Sequence, residues 1–127
     1  MSWDYPSSSA AIVDTLEAHI VGVSVFDRPP ASFNPPAMIV AHPQLVTRNQ
    51  PQFGIDLITW PIICAVGADQ ADRLAELLDA AAGALETDPA LYGIVQSTRA
   101  VSYQGWRIMD VSGIQVLAAD LTIEIRQ

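Results

Sequence analysis

The run from Phe53 to Val66 constrains this chain most, because it commits it to a β-sheet. Phe53, Ile55, Leu57 and Thr59 alternate with Gly54, Asp56, Ile58 and Trp60, the period-two pattern of a strand, and Ile62-Ile63-Cys64-Ala65-Val66 extends it. Pro61 interrupts the run. A residue without an N–H predicts a bulge or an edge position there.

A helix follows. Asp69 is read as its cap, and Asp69 with Asp72 places negative charge where the helix dipole favours it. Ala71, Leu74, Ala75, Leu78, Ala81, Ala82 and Leu85 form an apolar stripe opposite Asp72, Arg73, Glu76 and Asp79, and Thr87-Asp88-Pro89 ends the helix. After a polar lead over 1–8, an earlier helix is predicted to start at Ser7-Ser8-Ser9, which are good caps. Ile12, Val13, Leu16 and Ile20 recur at helical spacing in it, and Gly22 stops it.

Val23-Ser24-Val25-Phe26 alternates like a short strand, and Ala37-Met38-Ile39-Val40-Ala41 reads as a buried one. Between them, residues 27–36 carry two Pro-Pro pairs, which fit neither helix nor inner strand and predict a stiff, extended loop. Residues 43–52 are polar and read as a hairpin loop or projecting arm. Two last strands are expected over Ile94–Trp106 and Ile114–Ile125, joined near Met109–Gly113. The order α-β-β-β-α-β-β predicts an α+β fold with a single mixed or antiparallel sheet of four to five strands and two helices packed on one face. At 127 residues it is expected to be one domain spanning 1–127.

Charge narrows the function classes. Fourteen acids against six basic residues give −8, and every basic residue is Arg. Without lysine there is no Schiff-base or Walker-type lysine, and the acidic balance argues against binding a phosphate backbone. One cysteine, Cys64, provides no internal disulfide. No apolar run approaches a membrane span and the first residues lack a signal-peptide pattern, so a soluble domain made inside the cell is expected.

The search for catalytic chemistry gives little. Gly22-Val23-Ser24-Val25-Phe26 begins like a nucleophile elbow, but Phe26 stands where its second glycine belongs. His19 and His42 sit apart, short of the three or four convergent ligands that a metal needs. Cys64 in its apolar run reads as a small core residue. Asp69, Asp72, Glu76 and Asp79 share one helical face, which reads as solvated; an acid-base pair and a pore lining are the alternatives. Trp3, Trp60 and Trp106 fit core or interface equally well. The residues point to an interaction or structural protein with no catalytic, cofactor or metal site, not to an enzyme.

Three segments resemble the tail terminator (tail completion) proteins of long-tailed bacteriophages, particularly phages of high-GC actinobacteria. They are Val21-Gly22-Val23-Ser24-Val25-Phe26-Asp27-Arg28-Pro29-Pro30 with Pro35-Pro36-Ala37-Met38-Ile39-Val40; Trp60 to Gly67 leading into Asp72 to Asp79; and the ending Gly113 to Ile125. The resemblance spans nearly the whole chain. It implies a virion protein at the head-proximal end of the tail. Such a protein forms a ring, usually a hexamer, that caps the tail tube, ends its polymerisation and joins the head connector or stopper protein.

DNA would pass through the ring without specific binding. Six copies would carry about −48, which discourages phosphate from sticking. The loop over 27–36 and the arm over 43–52 are the expected docking elements, with Arg28, Arg48, Phe53, Trp106 and Arg107 as expected contact residues. The alternatives are another neck protein, such as a head-completion stopper or adaptor, and a small ligand-binding or enzymatic α+β domain.

Overall fold

The computed structural model describes residues 5–28, 30–48, 56–87 and 97–126. In chain order these form α1 (Tyr5–His19), β1 (Ser24–Phe26), β2 (Ala37–Val40), β3 (Leu45–Arg48), β4 (Asp56–Gly67), α2 (Ala71–Thr87), β5 (Ser97–Val111) and β6 (Ile114–Arg126). The fold is α+β. Six described strands form a single sheet in the order β1-β2-β4-β6-β5, with β3 also beside β4. Only β1 and β2 run parallel, so the sheet is mixed.

The sixth strand comes from the segment expected to be a polar arm. Leu45 to Arg48 pair with Thr59 to Asp56, and the ladder uses backbone groups that the polar side chains leave free. The remainder of that arm, with Phe53, lies outside the described residues.

β4 is central, so Pro61 marks neither an edge nor a bulge. Its register with β6 runs unbroken from Leu57 opposite Arg126 to Gly67 opposite Val116. On the other side β3 pairs up to Thr59 and β2 begins at Ile62. Pro61 therefore sits where one neighbour gives way to the next, the place in a central strand where a missing donor breaks no ladder. Trp60 fills this junction. Its side chain is fully buried, and its Nε1–H donates to the Ala41 carbonyl at 3.0 Å in the crossover between β2 and β3.

The two helices cover one face. Ile58, Trp60, Ile62, Cys64 and Val66 of β4 and Ala119, Leu121, Ile123 and Ile125 of β6 meet Ile12 and Leu16 of α1 and Leu74, Leu78 and Leu85 of α2 in the main core. In α2 the buried stripe is Leu74, Leu77, Leu78, Ala81, Ala82, Ala84 and Leu85, leaving Ala71 and Ala75 exposed. Gln70, not Asp69, occupies the cap position: its carbonyl accepts from Leu74 N–H at 3.0 Å, and its Oε1 accepts from Gly67 N–H at 3.2 Å. α1 begins at Tyr5, so Ser7 to Ser9 lie inside its first turns and not ahead of it. Pro6 is tolerated there because first-turn N–H groups have no intrahelical acceptor.

A smaller cluster covers part of the opposite face. Ala65, Val111, Val116 and Ala118 are buried there under Phe33, with Ile63 and Met109 beside them. The proline loop is thus partly committed to packing, and Phe33 also stands 6.3 Å from the Phe26 ring centroid. The β5–β6 turn is Ser112-Gly113, both with positive φ (52° and 84°), as two-residue hairpins of type I′ require. Asp110 Oδ1 accepts from Gly113 N–H at 2.9 Å and holds the turn.

Candidate functional site

Among the described strands β1 and β5 end the sheet and β3 pairs with β4 alone; most of the large exposed apolar residues lie on β5, with Val21 ahead of β1, Leu45 on β3 and Ile114 on β6. β5 is long, and Val101, Tyr103, Trp106 and Ile108 all stand out from it, between 40% and 55% exposed. Among the described residues β5 pairs on one side only, with β6, and a long strand with an unpaired side is the form of surface that pairs with another chain. Two register shifts shape it, between Ala100 and Ser102 and between Gln104 and Arg107. The second is a bulge on Gly105 and Trp106. Gly105 takes φ +72°, and a Cβ there would come within 3.1 Å of Arg107 Nη1.

Arg107 clamps this bulge. Its Nη1 donates to the Gly105 carbonyl at 2.6 Å and its Nη2 to Asp120 Oδ1 at 3.1 Å. The guanidinium is thereby spent on holding Trp106 in place, and Trp106 is left half exposed. Three residues before Trp106, Tyr103 donates its hydroxyl proton to Asp79 Oδ1 at 2.8 Å, tying β5 to α2. Desolvation first, then that hydrogen bond and the charges of Asp79 and Glu86, push the Tyr103 phenol up to about 12. Arg99 bonds across the sheet to Glu124 at 3.1 Å.

At the other end, the link between α1 and β1 exposes Val21 almost completely, at 90%. Gly22 beside it takes φ +80° and turns the chain from the helix into β1. A groove of about 510 Å³ runs along this link, lined by Glu17, Ile20, Val21, Val23, Ser24 and Val25. A neighbouring hollow of about 290 Å³ shares Ile20, Val21 and Val23 and reaches Arg73, Glu76 and Leu77 on α2. Glu17 lines the first hollow, and His19 lines the second beside Arg73 and Glu76, which stand 4.0 Å apart.

Charge is divided unequally between the layers. Asp14 and Glu17 on α1 and Asp72, Glu76, Asp79 and Glu86 on α2 are all exposed, against Arg73 alone among their basic neighbours on α2. β5 carries Arg99 and Arg107 and no acid from Ser97 to Met109, and each arginine is paired with an acid of β6, Glu124 and Asp120.

The five expected contact residues are not brought together. Trp106 and Arg107 share the β5 bulge, while Arg28 is exposed at the far end of the sheet beside Asp27, 3.4 Å away. Arg48 ends β3, with its side chain outside the described residues, as Phe53 is entirely. Val101, Tyr103, Ile108 and Val21 were not anticipated. A glycine inside a strand pattern, Gly105 before Trp106, was the available signal for the bulge.

Other reactive groups lie apart. Cys64 is buried, and desolvation first, then the Asp120 charge, raise its thiol to about 12. His19 Nδ1 lies 3.1 Å from the Thr15 carbonyl, at the end of α1, and Ser24 is exposed on β1. Among the described residues no three His, Cys, Asp or Glu side chains converge in a way that could hold a metal. No described helix is long and apolar enough to cross a membrane. No protein-family profile matches the chain, and no curated protein matches it.

Proposed function

We propose that this chain is a structural subunit of a long-tailed phage, a tail terminator that forms a ring on the tail tube, stops its growth and receives the head connector. The observation that carries the reading is the long β5 edge, whose apolar side chains stand in solvent on a domain already possessing a complete core. Such a surface calls for a protein neighbour, since buried apolar area is the main favourable term in association. The sequence resemblance along nearly the whole chain supplies the identity of the assembly.

The acidic helical layer suits the same setting. Six exposed carboxylates on two helices repel a phosphate backbone, so DNA slides past such a wall without adhering. The proline loop contributes less to docking than its sequence implies, because Phe33 is occupied in covering the second face of the sheet.

The test is electron microscopy of particles assembled by a phage genome from which this chain has been deleted. Overlong or ragged tail tubes without heads are expected. Finished tails of normal length beside unattached heads would move the chain to the head side of the neck, as a stopper or adaptor. Infectious particles of normal form would remove both assignments and favour a ligand-binding role.

A further inference from the structure

We infer that β5 and α2 together receive an amphipathic helix of a basic partner protein, its apolar side laid on the helix-facing side of β5 and an arginine or lysine held by Glu86 and Asp79. The partner is defined here by its chemistry, and the inference stands without the terminator reading.

The helical layer stops short of β5. Register sets Ala100 opposite Ile123, Tyr103 opposite Leu121 and Ile108 opposite Leu117, so these three stand on the side of the sheet that the helices cover. Over β4 and β6 that side is buried, yet Tyr103 and Ile108 are 40% and 55% exposed. The row forms a shelf beside α2. From Ala100 to Ile108 it measures at most roughly 26 Å at ~3.3 Å per residue, the length of a helix of about 17 residues.

An acidic line on α2 borders this shelf. Asp72, Asp79 and Glu86 recur every seven residues, which sets them in one line along the helix, and all three are exposed. Two contacts show that the line adjoins β5. Asp79 accepts the Tyr103 hydroxyl proton at 2.8 Å, and Glu86 lines a hollow of about 350 Å³ with Ala100, Val101, Ser102 and Tyr103. Neither Asp79 nor Glu86 has a basic partner among the described residues. Arg73 stands by Glu76, while Arg99 and Arg107 are held by Glu124 and Asp120.

The lining selects the occupant. Ala100 and Val101 are aliphatic, Tyr103 offers a ring fixed by its bond to Asp79, and Glu86 supplies a carboxylate. A long basic side chain matches all three, with its stem on the apolar residues and its cation beside the ring and the carboxylate. Phosphate and anionic headgroups are repelled by the same acids. A second copy of this chain has no lysine and a net charge of −8, so the partner is a different chain. A helix uses this surface fully, in the groove-filling mode of amphipathic segments. An added strand would pair with the open backbone of β5 and leave shelf and acids bare. Ala71 and Ala75, on one row with Asp79, are exposed and small, which admits a second helix close to α2.

The test uses the full-length chain and a synthetic peptide of about 17 residues with leucine along one side and arginine on its flanks. A second peptide carries glutamate in place of arginine. Fluorescence anisotropy at ~0.15 M salt measures affinity, and amide shifts of the labelled chain locate the contact. The arginine peptide is expected to bind with Kd below about 100 μM and to shift Ala100 to Ile108, and the glutamate peptide should not bind. Asp79→Asn with Glu86→Gln should weaken binding at least about tenfold. Asparagine retains an acceptor for the Tyr103 hydroxyl, and a thermal melt checks the fold; Glu86→Gln alone replaces the pair if it does not fold. Ile108→Ser should weaken binding as well. Asp14→Asn with Glu17→Gln removes the same charge from α1 and should leave affinity unchanged.

Three outcomes overturn the inference: no binding of the arginine peptide up to about 1 mM, an equal loss in the α1 pair, which would mean attraction by net charge alone, or shifts centred away from β5. None of them depends on the deletion phenotype, so this site and the terminator reading fail separately.

Discussion

Trp60 and Trp106 are the same residue type in opposite environments, and replacing each in turn tests the account of both the core and the edge. Trp60→Phe removes the Nε1–H that donates to Ala41 and the smaller ring of the indole. Ala41 is half-buried, so water can reach its carbonyl, and the lost bond takes the low end of the usual range, about 1 kcal/mol. The lost ring atoms equal two to three methylene groups in a site with no exposure, worth about 2 kcal/mol. The expected loss is about 3 kcal/mol. Unfolding entropy of ~2.1 cal/mol/K per residue gives roughly 0.27 kcal/mol per degree over 127 residues, so Tm should fall by about 11 °C.

Trp106→Ala removes a larger group but from a position 49% exposed, where at most half of its transfer energy is at stake. Its loss should be about 1 kcal/mol, or roughly 4 °C. Thermal melts by circular dichroism, with urea titrations for the free energy, measure both. Tryptophan fluorescence adds a separate reading, since Trp60 should emit as a buried indole and Trp106 as a wet one. If Trp106→Ala matched Trp60→Phe, Trp106 would be a core residue and the edge it anchors would not exist. If Trp60→Phe cost under 1 kcal/mol, the β2–β3 crossover would be held by something else.

Gly113→Ala should destabilise by about 1 kcal/mol. No atom stands within 4 Å of the added methyl, so the whole effect is the cost of holding a Cβ at φ +84°, and urea midpoints against the unaltered chain would measure it. The Cys64 thiol, raised to about 12 in the fold from about 9 unfolded, predicts a pH dependence. Its contribution is complete below pH 9 and is lost as pH rises toward 12, because the unfolded thiol ionises first while the folded one keeps its proton. Urea midpoints should therefore fall between those values, less steeply in Cys64→Ala. A slope unchanged by the substitution would mean that the thiol is not buried, as would alkylation of the native protein at pH 8.

The parts legible in the sequence were those governed by local period. The Leu74–Leu78–Leu85 spacing placed α2, and the alternation around Leu121, Ile123 and Ile125 placed β6, because side-chain burial repeats along one element. What failed depended on neighbours far away in sequence. Leu45–Arg48 lies inside a stretch that reads as polar, where Leu45-Val46 is too short a run to show a period, and it is nonetheless a strand through its backbone ladder to β4. Pro61 looked like an edge signal, yet the only place a central strand admits it is a gap between two successive partners, visible once β2 and β3 are both aligned on β4. The same holds for the candidate site. Trp106 and Arg107 were singled out by residue type, whereas Val21, on the far side of the molecule, has no local pattern that marks it.

The distribution of charge bears on how copies of this chain would meet in the proposed ring. With net −8, two copies approaching at random repel each other, and the repulsion is strongest between helical layers bearing six exposed carboxylates each. β5 escapes this because its arginines are paired within the sheet, Arg99 to Glu124 and Arg107 to Asp120, leaving a strand that is locally neutral and apolar. Salt separates the two contributions. Screening at about 1 M shortens the Debye length to roughly 3 Å, which removes the general repulsion while leaving apolar burial intact. Association through the β5 edge should therefore strengthen between low salt and 1 M, and sedimentation across that range would show it. Weakening instead would mean that attraction between charges, and not apolar burial at β5, holds copies together, and Trp106 would then be a contact of secondary importance.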